Sequence, residues 1–318
     1  MKTIIVDTLG SDKGPKEVLL GVKEALEKYP DFAFTVVGDS ALVEEVGLPS
    51  DRVNVIESYE TVTNYDNPVE AFYKKDKVSI FLALKEASEN KEAIGVISSG
   101  STGALMVGAI KYLLDEKRTR PALAAILPTI ENGAYTCVVD TGATIDVTSR
   151  QLIEFAHLGS EFMKKLYKIE SPKVGLLSIG AESTKGNKLV KETYPLLEKE
   201  EGLNFVGNIE GSKALDHLCD VLVCDGFAGN QVLKVTQGVA ANLIREMVKY
   251  GKISGREEAA REFAHHLMSM YDFESSGAGI MLGVKKVVLK CRGSSGAKAI
   301  VAASKILINL NSDKTYFE

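Results

Sequence analysis

Residues 93–114 read AIGVISSGSTGALMVGAIKYLL, and how they are read decides the fold of this chain. The run from Ala93 to Ile97 is apolar and strand-like, and Met106 to Leu114 carries a helical pattern. A strand therefore passes into a helix through the small residues Ser98 to Gly103. The first amides of such a helix have no intrahelical partner, and the macrodipole adds positive charge there. Two readings of the turn follow. It cradles an anion on backbone N–H groups, or it is a tight connection in which Gly100 and Gly103 supply backbone freedom and Ser101 or Thr102 caps the helix.

The same unit recurs along the chain. Apolar runs bounded by turn signals stand at 3–6, 33–37, 93–97, 122–127, 135–139, 173–179, 203–206, 220–224 and 286–291. Helical patterns lie near 15–29, 68–90, 103–115, 148–167, 186–200 and 297–309. This alternation predicts an α/β protein with a largely parallel sheet, whose ligands gather at the carboxyl ends of the strands. No repeat, low-complexity tract or linker divides the chain, so residues 1–318 are expected to form a single α/β/α domain. Residues 229–271 break the rhythm: Val232, Val235, Val239, Leu243 and Val248 stand at helical spacing, and a second helical run covers Glu257 to Met270. Gly251 to Gly255 reads as the turn of a helical hairpin. Its apolar stripe either meets a second copy, giving a homodimer through a helical bundle, or packs on its own sheet.

Composition sets further limits. The chain has 318 residues, 45% hydrophobic and 25% charged, enough for a large core. A formal net charge of -5 with both signs interspersed, and no basic stripe interleaved with aromatics, argues against a nucleic-acid partner. The apolar run after Met1 is too short for a signal peptide and no stretch approaches a membrane span, so a cytoplasmic location is expected. Cys137, Cys219, Cys224 and Cys291 lie in apolar runs without a CxxC pair, which predicts buried thiols and no metal. His265 and His266 are adjacent on a helical pattern and point in different directions, so they do not chelate.

Six strand-end loops are rich in glycine and small polar residues: 7–15, 98–103, 140–146, 178–187, 225–230 and 292–296. Together they suggest a cleft lined by backbone donors, although α/β proteins also use such turns simply to reverse the chain. The Walker motif, the dinucleotide fingerprint GxGxxG, the GxSxG elbow and HExxH are all absent, so no cofactor is implied. Lys13, Lys185 and Arg292 in these loops suit a reaction in which a bound anion is the nucleophile; each also reads as an ordinary surface charge.

The loops VDTLGSDKGP (6–15), SSGSTGAL (98–105), RPALAAILPT (120–129), VDTGATID (139–146), IGAESTKGN (179–187), NFVGNIEG (204–211), VCDGFAGNQVLK (223–234) and GVKKVVLKCRGSSGAKAI (283–300) resemble, in order and spacing, the bacterial phosphate acyltransferases of phospholipid synthesis. The resemblance runs nearly end to end. It implies an isopropylmalate/isocitrate-dehydrogenase-like α/β/α fold, a homodimer, no redox cofactor, and transfer of a fatty acyl group from acyl carrier protein to inorganic phosphate. The departures fall in the loops. The family usually has His at Lys13, Asn at Ser101 and Thr144, a second Glu at Ala181, and His and Asp at Arg292 and Gly296.

On this reading phosphate sits on the donors of Ser98, Gly100, Ser101, Thr102 and Gly103 with help from Lys185. Asn187 and Asn230 join Lys185 as catalytic candidates, holding the carbonyl or the pantetheine amides. Asp7, Lys13 and Arg292 extend the substrate site, and Asp140, Glu182 and Asp225 enter it by orienting cations and backbone. Two alternatives keep the fold: a small-acyl phosphotransacylase acting on coenzyme A thioesters, or an altered paralogue that only binds acyl carrier protein. The resemblance also implies that the hairpin tip can make a peripheral membrane contact. Here Lys249 to Arg256 offers only Tyr250 and Ile253 as apolar groups, a weak contact at most.

Overall fold

The alternating apolar runs pair in the computed structural model into one sheet, with its helices between strands. Residues 1–63, 65–118, 120–131, 133–270 and 278–312 are described. In chain order the elements are β1 (Lys2–Asp7), α1 (Pro15–Lys28), β2 (Phe32–Gly38), α2 (Ser40–Val46), β3 (Val53–Glu57), α3 (Pro68–Lys74), α4 (Ser79–Glu89), β4 (Ala93–Ser98), α5 (Thr102–Tyr112), β5 (Ala122–Pro128) and β6 (Tyr135–Val139). There follow α6 (Ser149–Tyr167), β7 (Lys173–Ser178), α7 (Lys188–Leu197), β8 (Asn204–Glu210), β9 (Val221–Val223), α8 (Gly226–Ile253), α9 (Glu257–Met270), β10 (Gly279–Leu282), β11 (Val287–Lys290) and α10 (Ala297–Asn311).

The strand order is β3-β2-β1-β4-β11-β10-β5-β6-β9-β7-β8. β3 to β11 run parallel in one half and β6, β9, β7 and β8 in the other. Between them β10 is antiparallel to β11 and to β5, and β5 is antiparallel to β6. The expected strands all form, and β3, β10 and α2 add to them. The stretch 68–90 differs from a single helix: Lys75 leaves α3 in an extended conformation and Val78 bridges to Glu60, so α4 starts afresh.

Successive strand residues face opposite sides, and this sorts the core. Ile4 and Val6 join one apolar cluster with α1, α10 and α6, which runs under both halves of the sheet. Ile5 joins a second cluster with α4 and α5, and Leu127, Val138 and Leu222 join a third with the first turns of α8. One face thus has an unbroken core, and the other has two cores. Leu123 and Ala125 of β5 belong to none of the three clusters and instead form the wall of a cleft.

The hairpin is present, with a shifted turn. α8 continues through Gly251, which packs against α9 so closely that a Cβ there would meet the Ala260 Cβ. The chain reverses at Ser254 and Gly255, the latter at φ 69° where glycine is favoured. Beyond its first turns α8 leaves the sheet, and Val235, Val239 and Leu243 are exposed in the single copy, Leu243 by 63%.

Candidate active site

Parallel register brings three distant residues level. Asp7 of β1 pairs with Ser98 of β4, and Ser98 pairs with Lys290 of β11, each the last residue of its strand. Ser98 Oγ donates to Asp7 Oδ2 at 2.7 Å and accepts from the Gly100 amide at 3.0 Å, while the Leu9 amide donates to Asp7 Oδ1. Asp7 and Ser98 are fully enclosed, so they shape the turn that delivers α5 to the cleft. The loops after β1 and β4 meet at Gly10, whose Cβ would lie 2.7 Å from the Gly100 Cα; only glycine fits there. The loop after β11 closes on them, with the Asp12 amide donating to the Gly293 carbonyl at 2.8 Å.

These loops border a cleft of about 560 Å³ lined by Thr102, Lys290 and Arg292 on one side and by Thr141, Phe227 and Asn230 on the other. Lys234 and Gln237 of α8 and Asp12 also line it. Ser101 is the N-cap of α5 yet makes no side-chain cap hydrogen bond, so the capping alternative fails for its hydroxyl. Gly103 lies against Pro68. The Lys290 ammonium donates to the carbonyls of Cys291 and, at 3.4 Å, Ser99. Among the described residues it forms no ion pair with a carboxylate. Burial pulls its pKa below the usual lysine range.

Burial acts on Asp7 in the opposite direction, pushing its carboxyl up to about 6 from 3.8 against the pull of its hydrogen bonds and of Lys290. A raised carboxylate pKa means that the folded chain binds the proton more tightly than the unfolded one. This group's contribution to stability therefore falls as pH rises from 3.8 through 6, by about 3 kcal/mol in all. Asp7→Asn keeps an acceptor for Leu9 and removes the charge. It is expected to raise the melting temperature at pH 7 and to have little effect at pH 4; a lower melting temperature at pH 7 would overturn this.

The second half of the site is built on Asp140. Its Oδ1 accepts from the amides of Leu123 (3.0 Å), Gly142 (3.2 Å) and Ala143 (3.0 Å), and its Oδ2 accepts from Thr144 at 2.6 Å. Burial raises its pKa against these four donors. Asp225 caps α8 by accepting from the Ala228 amide at 2.7 Å, and the Gly226 amide donates to the Thr144 carbonyl. Both aspartates therefore hold backbone. All four cysteines are buried, and burial raises each thiol pKa, Cys291 to about 11.

Not every candidate reaches this cleft. Lys13 is exposed, with Nζ beside Gly296, and does not line it. Lys185 and Glu182 are exposed on the loop after β7, where the Lys185 amide donates to the Glu182 carbonyl. Asn187 caps α7 through the Val190 amide and lines two flanking cavities that share Ile145 and Phe227 with the cleft. Lys290, Lys234 and Thr141 were not singled out by sequence. The signal for Lys290 is a lone lysine closing the apolar strand Val287–Lys290.

Among the described residues no group of three His, Cys, Asp or Glu is arranged to hold a metal ion, and no helix is long and apolar enough to cross a membrane. Comparison with known proteins agrees in fold and in sequence. A solved phosphotransacetylase from Streptococcus pyogenes superposes with a TM-score of 0.65 at 16% identity, covering 98% of this chain and 94% of that one. A branched-chain phosphotransacylase from Enterococcus faecalis V583 gives 0.60, again at 16% identity, covering 98% and 99%. In sequence, the phosphate acyltransferase of Streptococcus mutans serotype c is 35% identical over 325 residues, 98% of this chain and 96% of that protein. That of Streptococcus pyogenes serotype M5 is 35% identical over 316 residues, 96% and 92%. Since the fatty acid synthesis protein family also matches residues 2–314, the chain belongs to that family, together with the phosphate acyltransferases it resembles throughout its length.

Proposed function

We propose that this enzyme transfers a fatty acyl group from a thioester on acyl carrier protein to inorganic phosphate, releasing acyl phosphate and the carrier thiol. The observation that carries the reading is Lys290: a part-buried ammonium held by two carbonyls, in no direct ion pair with a carboxylate among the described residues, bordering a cleft shared with Arg292 and the amino end of α5. A small dianion complements the charge of all three. The relatives' name, phosphate acyltransferase, supports the same anion and acyl transfer to it.

The step needs little side-chain chemistry. An oxygen of hydrogen phosphate attacks the thioester carbonyl, the C–O bond forms, the C–S bond breaks, and the phosphate proton ends on the departing sulfur. Positioning and stabilisation of the tetrahedral oxyanion therefore dominate. Lys290, Arg292 and the α5 amides hold phosphate, while Asn230 and Gln237 across the cleft are placed to bind the carbonyl or the pantetheine amides. Purified protein incubated with phosphate and acyl thioesters, with free thiol followed, tests the reading. Release should require phosphate, and acyl carrier protein should outperform coenzyme A as carrier. Binding of the carrier without thiol release would make the chain a silent binding module instead.

Two further expectations belong here. No step uses a metal, so prolonged chelation should leave the rate within about twofold; loss restored by magnesium would overturn the scheme. The exposed stripe Val235, Val239 and Leu243 supports a homodimer through the hairpin. Leu243→Glu would place an unpaired charge in that contact and is expected to give monomers in sedimentation, at a cost of about 3–5 kcal/mol. A variant that remains dimeric places the interface elsewhere.

A further inference from the structure

We infer that the apolar cavity at the carboxyl ends of β7 and β9 receives the acyl chain of the thioester, with Ile179 and Phe227 at its entrance setting chain-length preference; this rests on the acyl-transfer reading above. The cavity measures about 350 Å³ and shares Phe227 with the main cleft. Leu152, Leu176 and Val190 line it from the core side and Val232 from α8. Its volume lies in the range of small-molecule sites.

The lining excludes the charged parts of the substrate. Among the described residues no Lys or Arg borders the cavity, and Asp225 in its wall repels phosphate. The polar side chains there are largely committed: Asn187 accepts from Val190, Asp225 from Ala228, and Cys224 Sγ donates to the Asp140 carbonyl. Ser178 Oγ, buried beside Gly186 without a partner among the described residues, is a single hydroxyl and builds no anion site. At the mouth the balance of exposure is unusual. Ile179 is 80% exposed directly after β7, and Phe227 is 61% exposed on the first turn of α8. Both are large apolar groups left in water beside a lined hole, and a polymethylene chain passing from cleft to cavity would cover both.

The test is the chain-length profile of thiol release for two variants. Val232→Phe fills the cavity from α8, and Ile179→Ser strips the entrance at an exposed position where folding is not at risk. Each methylene left outside costs about fourfold in kcat/KM. Both variants should therefore lower the long-chain to short-chain ratio, by about tenfold or more for Val232→Phe. If every chain length slows equally, the cavity holds the pantetheine arm or nothing, and the inference fails. Wild-type protein that releases no thiol from any donor sinks the acyl-transfer reading, and binding then decides the cavity by itself. Palmitate should raise the melting temperature of wild type more than that of Ile179→Ser, and equal shifts would overturn the assignment.

Discussion

Lys290→Ala is expected to lower kcat/KM for acyl transfer to phosphate about a hundredfold or more, the loss seen when one preorganised donor to a developing charge is removed. The side chain points into the cleft from the last residue of β11, level with Ser98 and the α5 turn. Burial already penalises its charge, so the substitution should leave the melting temperature nearly unchanged, which separates loss of chemistry from loss of fold. Lys290→Arg keeps the charge with a different reach and fork and should rescue only in part. Saturating phosphate restores the rate if Lys290 acts in ground-state binding and fails to restore it if the contact strengthens at the oxyanion. Lys185→Ala, on its exposed loop, is expected to cost less than tenfold. The opposite ranking of the two lysines would move the phosphate to the loop after β7.

Asp140→Ala is expected to destabilise the chain more than any change at an exposed loop residue. One carboxylate satisfies four amides, those of Leu123, Gly142, Ala143 and Thr144, in an enclosed position. Leaving buried donors unpaired costs about 1–3 kcal/mol each, so a total of about 4 kcal/mol or more is expected even if water reaches some of them. That is a large part of the margin of an ordinary domain. Asp140→Asn discriminates the cause. Its oxygen can keep the three donors on Oδ1, whereas its amide nitrogen would face the Thr144 N–H, donor against donor. An intermediate loss in chemical denaturation follows. Asn as damaging as Ala would point to the charge, and two silent variants would remove Asp140 from the framework.

Much of this was written locally in the chain. Ala93 to Ile97 followed by SSGSTG and an apolar helix identifies a βα unit because period and turn chemistry depend on neighbours within a few residues. The same holds for the hairpin of α8 and α9, and for Asp140 and Asp225 as loop-holding residues beside runs of amides. Where a local pattern competed with a tertiary contact, it misled. The 68–90 helix is interrupted because Val78 pairs with Glu60, and Gly251 is helical because it packs on Ala260.

The site itself was legible only in part. Asp7, Ser98, Thr102, Asp140, Asn230 and Arg292 could be picked out in loops at strand ends, whereas Lys290 carries only the faint signal of a lysine closing an apolar run. Its role follows from strand order: β11 inserts beside β4, and parallel register sets residue 290 level with residue 98 and, through it, with residue 7. Lys185 has the local signature of a ligand loop, yet the half of the sheet that carries it leaves it exposed and outside the cleft. Sequence alone determined most of the elements, the family and the position of the small-residue loops at strand ends, because these depend on residue type and short spacing. Only the tertiary structure decided which loops face one another, because pairing between strands nearly two hundred residues apart is set by burial of whole faces and not by any local preference.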